Sequence, residues 1–252
     1  MQIPVDQAWL EVLMLASVRM IAFLMVAPPF AHQAIPARVK AMLGLGLALA
    51  VSGRLTNGYI PGNTAGFVTG IVLELVTGLA LGFLVFVIFA AVQSAGSLID
   101  LASGFQMAQG YDPQMMVNGA QFTRLLQMAA LALLFASDGY QLVIGGLTGS
   151  FSALPLAGGI DLARPAQALI TAVTGMFLCA VQIAGPLMVV LLLADVGLGL
   201  LTRVAPALNA FSLGFPLKIL LTLALAGFLF LGLPRIVAVL AEQAVNTLMG
   251  VG

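Results

Sequence analysis

The chain has 252 residues, of which 62% are hydrophobic and only 7% are charged, and its formal net charge at pH 7 is zero. Soluble domains carry about 25% charged residues, so this composition excludes an ordinary soluble protein and predicts a polytopic protein in contact with membrane lipid. The zero net charge gives no sign of nucleic-acid binding, and the single cysteine, Cys179, excludes an internal disulfide. No metal site and no cofactor are predicted.

The first half of the chain contains three apolar segments. Ala8–Ala27 is predicted as a helix that carries Arg19 in its middle and ends at Pro28-Pro29. Residues 41–53 form an uncharged stretch of only 13 residues, which favours a protein-buried or re-entrant helix over a full crossing. The 25 uncharged residues of Leu75–Ile99 are long enough to cross a bilayer with tilt and continue into a central loop.

Three further segments follow the central loop. Phe122–Ala136 is predicted as a short helix that is interrupted and then resumes as Gln141–Phe151. Pro165–Ala194 supplies 30 uncharged residues, and Gly185-Pro186 within it predicts a kink. Phe211–Leu233 is the last segment.

Pro234-Arg235 is predicted to start a separate amphipathic tail that ends near Gly250. The chain thus has about six hydrophobic segments, and these predict an all-α polytopic integral membrane protein. Small residues recur where these helices should touch, which favours close helix packing within the chain. They are Gly44, Gly46, Gly66, Gly70, Gly78, Gly82, Gly145 and Gly146.

The central stretch Gly96–Gln121 is too rich in Gly, Gln and Asn for lipid and too apolar for a solvated linker. Its apolar residues include three methionines and two aromatic residues, namely Met107, Met115, Met116, Phe105 and Tyr111. Irregular backbone at membrane depth is tolerated only where protein buries it or where it lines a cavity, and Met side chains adapt to varied neighbours. Asp112-Pro113 predicts a turn within it. The alternative is an ordinary connection between helices.

Several ionisable residues lie within or beside the apolar segments, where charge is costly. They are Arg19, Glu74, Asp195, Arg203 and Lys218. Such groups either pair with one another between helices or subunits, or line a path for a transported solute. The sequence contains no phosphate-binding P-loop, no HExxH and no GxSxG, and therefore predicts that the chain is not an enzyme.

The stretch from Asp195 to Lys218 is the most specific part of the sequence. It contains Asp195, Arg203, Pro206, Asn209, Pro216 and Lys218. Other matching positions follow chain order: Arg19, Pro28, Ile35-Pro36, Arg38, Lys40, Glu74, Gly78, Gly82-Phe83, Gly96, Asp100 and Asp112-Pro113. On these residues the chain resembles the FliR/SctT family of type III export-gate proteins over nearly its whole length. It departs from the family's pattern at Ala207, where the family commonly carries Gln.

This resemblance implies a helical export-gate assembly in which bent helical hairpins of FliP, FliQ and one such chain enclose a pore. Residues 1–165 would correspond to a FliP-like portion and residues 166–252 to a FliQ-like C-terminal hairpin. The loop formed by residues 104–121, called the pore loop below, would be part of the plug of that pore. Its implied plug residues are Phe105, Met107, Tyr111, Asp112, Pro113, Met115 and Met116.

The resemblance also implies roles and partners outside the pore loop. Charges and turn residues would hold the assembly together, namely Arg19, Arg38, Lys40, Glu74, Asp195, Arg203, Pro206, Asn209, Pro216 and Lys218. FliP and FliQ would be direct partners, with FlhB and FlhA as further ones, and the cargo would be unfolded flagellar proteins. The expected location is the flagellar basal body in the bacterial inner membrane.

Two alternatives stay open at the level of sequence. The first is the SctT subunit of a virulence injectisome, which has the same family pattern. The second is a secondary transporter for small molecules or ions, for which broken helices should occur at corresponding positions of two halves. Gly185-Pro186 is one such break, and the first half has no convincing counterpart.

Overall fold

The computed structural model of the chain describes residues 6–32, 34–105, 121–158, 163–205 and 210–250. These residues form seven α-helices and no strand, which confirms the all-α prediction. The helices are α1 (Gln7–Val26), α2 (Ala37–Leu55), α3 (Thr64–Ser103), α4 (Gln121–Ala136), α5 (Gly139–Ala153), α6 (Ala163–Val204) and α7 (Ala210–Gly250).

Local sequence explains where α1 begins and ends and where α5 begins. Asp6 caps α1, because its carboxylate accepts a hydrogen bond from the backbone N–H of Ala8 at 3.1 Å. The helix ends at Val26, directly before the predicted stop at Pro28-Pro29. Asp138 precedes α5 with a φ of 55°, a left-handed conformation that ends α4 before α5 begins.

Four helical segments are long and apolar enough to cross a membrane: Gln7–Val26, Thr64–Ser103, Gln167–Val204 and Leu213–Gly250. The helices α4 and α5 meet this criterion only together, as one broken span that would be a fifth. Within the described part of the chain, α2 is not among the candidates, in line with its short uncharged stretch. The polytopic membrane fold predicted from composition is confirmed.

Two helices are longer than the sequence predicted. The prediction that Pro234 starts a separate tail is wrong, because α7 continues without interruption from Ala210 to Gly250 and contains both Pro216 and Pro234. Proline removes one backbone hydrogen bond, but tolerance of this loss is common in long apolar helices whose other turns stay bonded. Likewise α6 runs through Pro186, and the kink there stays a prediction.

The chain folds as two compact units that do not follow chain order. Unit 1 comprises Met1–Ile88, Asp138–Val173 and Leu240–Gly252, and unit 2 comprises Phe89–Ser137 and Thr174–Val239. The division into a FliP-like and a FliQ-like portion concerns likeness to other proteins and stays a prediction. The core of unit 1 includes Leu15, Met20, Phe23, Leu24 and Leu147, and that of unit 2 includes Ile99, Leu126, Leu134 and Leu191.

Candidate functional site

A buried ion pair joins α1 to α3 in the centre of unit 1. The Nε of Arg19 lies 2.5 Å from Oε2 of Glu74, and its Nη2 donates to Oε1 at 3.0 Å. Both residues are only 1% exposed. Two parallel hydrogen bonds of this kind are the strongest geometry available to an arginine and a carboxylate. The sequence predicted that ionised residues in apolar segments either pair or line a transport path. Arg19 and Glu74 pair with each other.

The remaining donors of Arg19 and acceptors of Glu74 are also satisfied. Nη1 of Arg19 donates to the carbonyl oxygen of Leu154 at 2.9 Å, and its guanidinium lies 4.2 Å from the ring centroid of Phe151. Glu74 Oε1 accepts a hydrogen bond from the backbone N–H of Ala157 at 3.0 Å. The pair therefore fixes the end of α5 and the following turn to α1 and α3, and it is a structural centre of unit 1.

Two glycines let α1 and α3 approach closely enough to form this pair. A Cβ on Gly78 would lie 2.4 Å from the carbonyl oxygen of Arg19, and one on Gly82 would lie 2.9 Å from that of Phe23. No such atom fits without moving a backbone. The predicted role of the Gly78-x-x-x-Gly82 spacing in intramolecular helix packing agrees with these distances.

Tyr59, in the connection between α2 and α3, lies near the carboxylates of unit 1. Its hydroxyl donates a hydrogen bond to Oε2 of Glu11 at 3.2 Å. Burial raises the pKa of Tyr59 above its ordinary value of 10.0, and the charge of Glu11, the hydrogen bond to it and the charge of Glu74 act in the same direction. The phenol is therefore neutral at physiological pH and serves as a donor.

In unit 2, a buried carboxylate connects the two helices that flank the pore loop. Asp100, in the last turn of α3, is 0% exposed. Its Oδ1 accepts from the backbone N–H of Phe122 at 3.2 Å, and its Oδ2 accepts from the N–H and the hydroxyl of Thr123 at 2.8 and 2.5 Å. These amides belong to the first turn of α4, where no carbonyl of the same helix is available to them. Asp100 therefore caps α4 from a different helix.

The same two helices are in close backbone contact. A Cβ on Gly96 would lie 2.6 Å from Cα of Thr123. Gly104, directly after α3, has a φ of +84°, and a Cβ there would lie 2.6 Å from Cδ1 of Phe215. Both positions therefore require glycine, the first for space and the second for conformation as well. Together with Asp100 they define the base of the pore loop.

A second ion pair lies between α6 and α7. The Nζ of Lys218 is 2.5 Å from Oδ1 of Asp195, and the side chains are 18% and 49% exposed. Lys218 lies in the early part of α7 and Asp195 in the late part of α6, so the pair connects the two arms of the hairpin near its turn. Of Asp195, Arg203 and Lys218, the three charges in the most specific stretch of the sequence, the structure brings Asp195 and Lys218 together.

An open apolar cleft of about 410 Å³ lies between α6 and α7. Pro186, Leu187 and Val190 line it from α6, and Leu225 and Phe228 line it from α7. Many apolar side chains of these helices are exposed, among them Leu192, Leu220 and Leu231. The hairpin thus carries apolar surface that this chain does not cover.

The other predicted site residues divide into two groups. Met107, Tyr111, Asp112, Pro113, Met115, Met116, Pro206 and Asn209 lie outside the described residues. Within the described part, Arg38, Arg203 and Pro216 are exposed, Phe105 is half-buried, and Lys40 is buried on the face of α2 that lies toward α1. Arg203 forms no ion pair with another described residue.

Sequence reasoning assigned no role to Asp100 and Thr123. Asp100 appeared only as a position matching the family, and Thr123 was not singled out. The sequence alone held no signal for this role, because the start of α4 has to be known before Asp100 can be recognised as its cap.

Comparison with known proteins gives matches over most of the chain. The sequence model of the family described as "Bacterial export proteins, family 1" matches residues 10–244. The flagellar biosynthetic protein FliR of Escherichia coli (strain K12) is 32% identical over 218 residues, which cover 86% of this chain and 84% of that protein.

Two further relatives extend the comparison. The flagellar biosynthetic protein FliR of Pectobacterium carotovorum subsp. carotovorum is 31% identical over 221 residues, covering 88% of this chain and 85% of that protein. The surface presentation of antigens protein SpaR of Shigella sonnei is 29% identical over 178 residues, covering 69% of each chain. The flagellar relatives therefore match over a larger part of the chain.

Proposed function

Because this chain belongs to family 1 of the bacterial export proteins, we propose that it completes the pore of the flagellar type III export gate and closes that pore at rest. The similarity to the flagellar protein FliR of Escherichia coli, which covers 86% of this chain, is the observation that supports the flagellar assignment. The chain is a membrane component of the flagellar export apparatus, and its cargo would be unfolded flagellar proteins.

The proposed partners are FliP and FliQ in a hetero-oligomeric gate, with FlhB and FlhA as further neighbours. The proposed location is the flagellar basal body in the bacterial inner membrane, and the proposed role is non-enzymatic. The apolar surface that this chain leaves uncovered on the α6–α7 hairpin can contact lipid or a neighbouring subunit, and the family assignment favours a neighbouring subunit. FliQ-like hairpins are the proposed neighbours of residues 166–252.

The pore loop is proposed to plug the channel at rest. Its methionines, Phe105 and Tyr111 are apolar and adaptable, so they would exclude water and ions without recognising any one cargo sequence. The anchoring of its base by Asp100 supports a fixed resting position. Gly104 and the other glycines of the loop would permit displacement when cargo passes.

The charges and turn residues outside the loop are proposed to hold the assembly together. Arg19 and Glu74 would do so indirectly, by stabilising unit 1 from within. Arg38 and Arg203 are exposed and available to carboxylates of a neighbouring subunit. Arg203→Ala is therefore expected to lower the yield of assembled complex, while the complex that does assemble should conduct ions and secrete cargo as the intact gate does.

An injectisome subunit is the second candidate, and the similarity to SpaR of Shigella sonnei is the observation that favours it. The flagellar assignment is preferred because the FliR proteins of Escherichia coli and Pectobacterium carotovorum match more of the chain than SpaR does, at 32% and 31% identity against 29%. Deletion of the gene should abolish motility and the secretion of flagellar proteins. A deletion strain that still swims would contradict the flagellar assignment.

Assembly and closure are tested separately. Co-expression with FliP and FliQ, followed by native mass spectrometry, should yield a defined hetero-oligomer that contains this chain. Deletion of residues 106–117 should leave that complex assembled but leaky to small ions in planar bilayers. A deletion complex as tight as the intact gate would remove the plug role and leave an ordinary connection between helices.

A further inference from the structure

The open cleft between α6 and α7 lies within unit 2, and its walls are largely apolar. Both helices contain candidate membrane spans. We propose that this cleft holds one acyl chain of a zwitterionic phospholipid whose headgroup carries a primary ammonium, and that Lys218 and Asp195 bind that headgroup. This lipid site goes beyond the proposed function and does not depend on it.

The dimensions of the cleft suit a hydrocarbon chain better than a helix. At about 1.5 Å per residue, its lining extends about 12 Å along α6, from Gln182 to Val190, and about 16 Å along α7, from Leu225 to Ile236. The volume of about 410 Å³ over that length leaves a mean cross-section of about 30 Å². A helix with side chains is about 10–12 Å in diameter and needs about 80 Å² or more. One extended acyl chain is thin enough for the cleft.

Gly232 contributes open space to the wall of the cleft. It lines the cleft from α7, and no atom of the described residues lies within 4 Å of its Cβ position. Apolar walls without neighbouring atoms lose dispersion contacts, and an acyl chain beside Gly232 would restore them. A large side chain at this position would take the space of that chain.

Lys218 lies on the face of α7 that lines the cleft. It precedes Leu225 by seven residues, which is about two turns, so the two side chains share one face of the helix. Phe228, in the middle of the lining, lies about 15 Å further along the helix than Lys218. This equals about one hydrocarbon leaflet, half of a core of about 30 Å. A lipid with its phosphate beside Lys218 would therefore place an acyl chain along the cleft.

The charges at this end of the cleft match those of a zwitterionic headgroup. Nζ of Lys218 lies 2.5 Å from Oδ1 of Asp195, and an ammonium has three donors, so Lys218 can donate to a phosphate as well. The side chain of Asp195 is 49% exposed, and its carboxylate can accept further hydrogen bonds from a primary ammonium. A headgroup with both charges would pair with both residues, whereas a purely anionic headgroup would be repelled by Asp195.

Other exposed side chains of the hairpin provide an internal comparison. Leu192 and Leu220 are 62% and 65% exposed and are not among the residues that line the cleft. A neighbouring subunit can cover such side chains and leave lipid in the cleft. Retained lipid should therefore be found beside the lining residues and not beside these two leucines.

The test uses phosphatidylethanolamine with a photoreactive diazirine in its acyl chain. Membranes that contain the full chain, with any subunits that accompany it, are supplied with this probe, solubilised in detergent, washed free of bulk lipid and irradiated. Mass spectrometry of peptides then locates the crosslinks. Crosslinks are expected at Leu187, Leu225 and Phe228. They should be about tenfold rarer at Leu192 and Leu220, because only a chain held in the cleft survives the wash.

Variants of α7 test the two parts of the site. Gly232→Leu fills the cleft and should lower crosslinking there by about tenfold. Gly227→Leu is the matched control, because Gly227 also has no described atom within 4 Å of its Cβ position but does not line the cleft, and it should crosslink as the intact chain does. Lys218→Gln should lower crosslinking by about fivefold, the effect of one lysine near a lipid surface. Should Gly232→Leu fail to fold, Leu225→Trp fills the same cleft and should have the same effect.

Competition before irradiation tests the headgroup. Unlabelled phosphatidylethanolamine should displace the probe at about tenfold lower concentration than phosphatidylcholine, whose quaternary ammonium donates no hydrogen bond, or phosphatidylglycerol, which has no positive charge. Equal displacement by all three lipids would overturn the headgroup recognition. Absence of crosslinks at the cleft after the wash, or crosslinking unchanged by both cleft-filling variants, would overturn the lipid site. A photoreactive analogue in place of Phe228 that crosslinks to another subunit would also overturn it, because protein would then occupy the cleft.

Discussion

The α1–α3 seam of unit 1 and the α6–α7 hairpin of unit 2 each contain an ion pair and glycines, but they use them differently. In the seam, Arg19 and Glu74 are 1% exposed, and Gly78 is in contact with the backbone of α1. In the hairpin, the side chains of Lys218 and Asp195 are 18% and 49% exposed. Gly227 of α7 has no atom within 4 Å of its Cβ position.

The comparison shows that the two regions are completed by different means. The seam satisfies its charges and fills its space with atoms of this chain alone. The hairpin leaves a half-exposed carboxylate, open glycine faces and exposed side chains such as Phe228, which is 73% exposed. Substitutions in the seam should therefore affect the chain itself, whereas substitutions in the hairpin should depend on what lies beside it.

Breaking the ion pair of the seam should have the largest effect. Arg19→Ala leaves Glu74 buried without its partner, at a cost of about 3–5 kcal/mol. The yield of folded chain and the thermal unfolding midpoint of the purified complex are the measurements. The double variant Arg19→Met, Glu74→Met should recover part of the loss, because no charge is then stranded. Wild-type stability of the single variant would contradict the central role of this pair.

Filling the seam should have an intermediate effect. Gly78→Ala places a methyl group against the carbonyl of Arg19 and should cost about 1–3 kcal/mol through forced displacement of α1. Gly227→Ala is the matched control in the hairpin, and it should be neutral or stabilising by about 0.5–1 kcal/mol because alanine is the better helix former. If both variants changed the thermal unfolding midpoint equally, the α1–α3 seam would not be more closely packed than the α6–α7 hairpin.

Breaking the ion pair of the hairpin should have the smallest effect. Lys218→Met should cost about 0–1 kcal/mol in the isolated chain, because a half-exposed carboxylate remains solvated when its partner is lost. The double variant with Asp195→Asn should behave like the single one, unlike the pair in the seam. The same variant measured within the complex sharpens the test: a cost of about 3 kcal/mol or more there would show that a neighbour buries the pair.

The sequence predicts the helices of this chain better than their ends. Charge-free stretches and the Pro28-Pro29 stop identify α1, because these signals act within a few residues. Pro234 was wrongly predicted to end a helix, because α7 continues through it. Whether a proline ends a helix depends on the contacts of the turns on either side of it. Local signals do not contain that information.

The site is less predictable, because its contacts join residues far apart in the chain. The sequence predicts that Arg19 needs an acidic partner, and two of the residues named above, Glu74 and Asp195, fit that description equally. The choice of Glu74 depends on the close approach that Gly78 permits. Asp100 could be recognised as a cap only once α4 was known to begin beside it, since two amides more than 20 residues away identify its role.

The distribution of partners around Arg19 has a consequence for biosynthesis. Arg19 is made 55 residues before Glu74 and 131 residues before Ser150, whose carbonyl oxygen lies 3.4 Å from Nη1. An arginine in the middle of a newly inserted helix costs about 2.5–3.5 kcal/mol or more in lipid. The nascent α1 would therefore remain at the insertion machinery, or shielded from lipid by water, until α3 has been made. Membrane insertion of this chain then proceeds by the joint release of helices rather than one helix at a time.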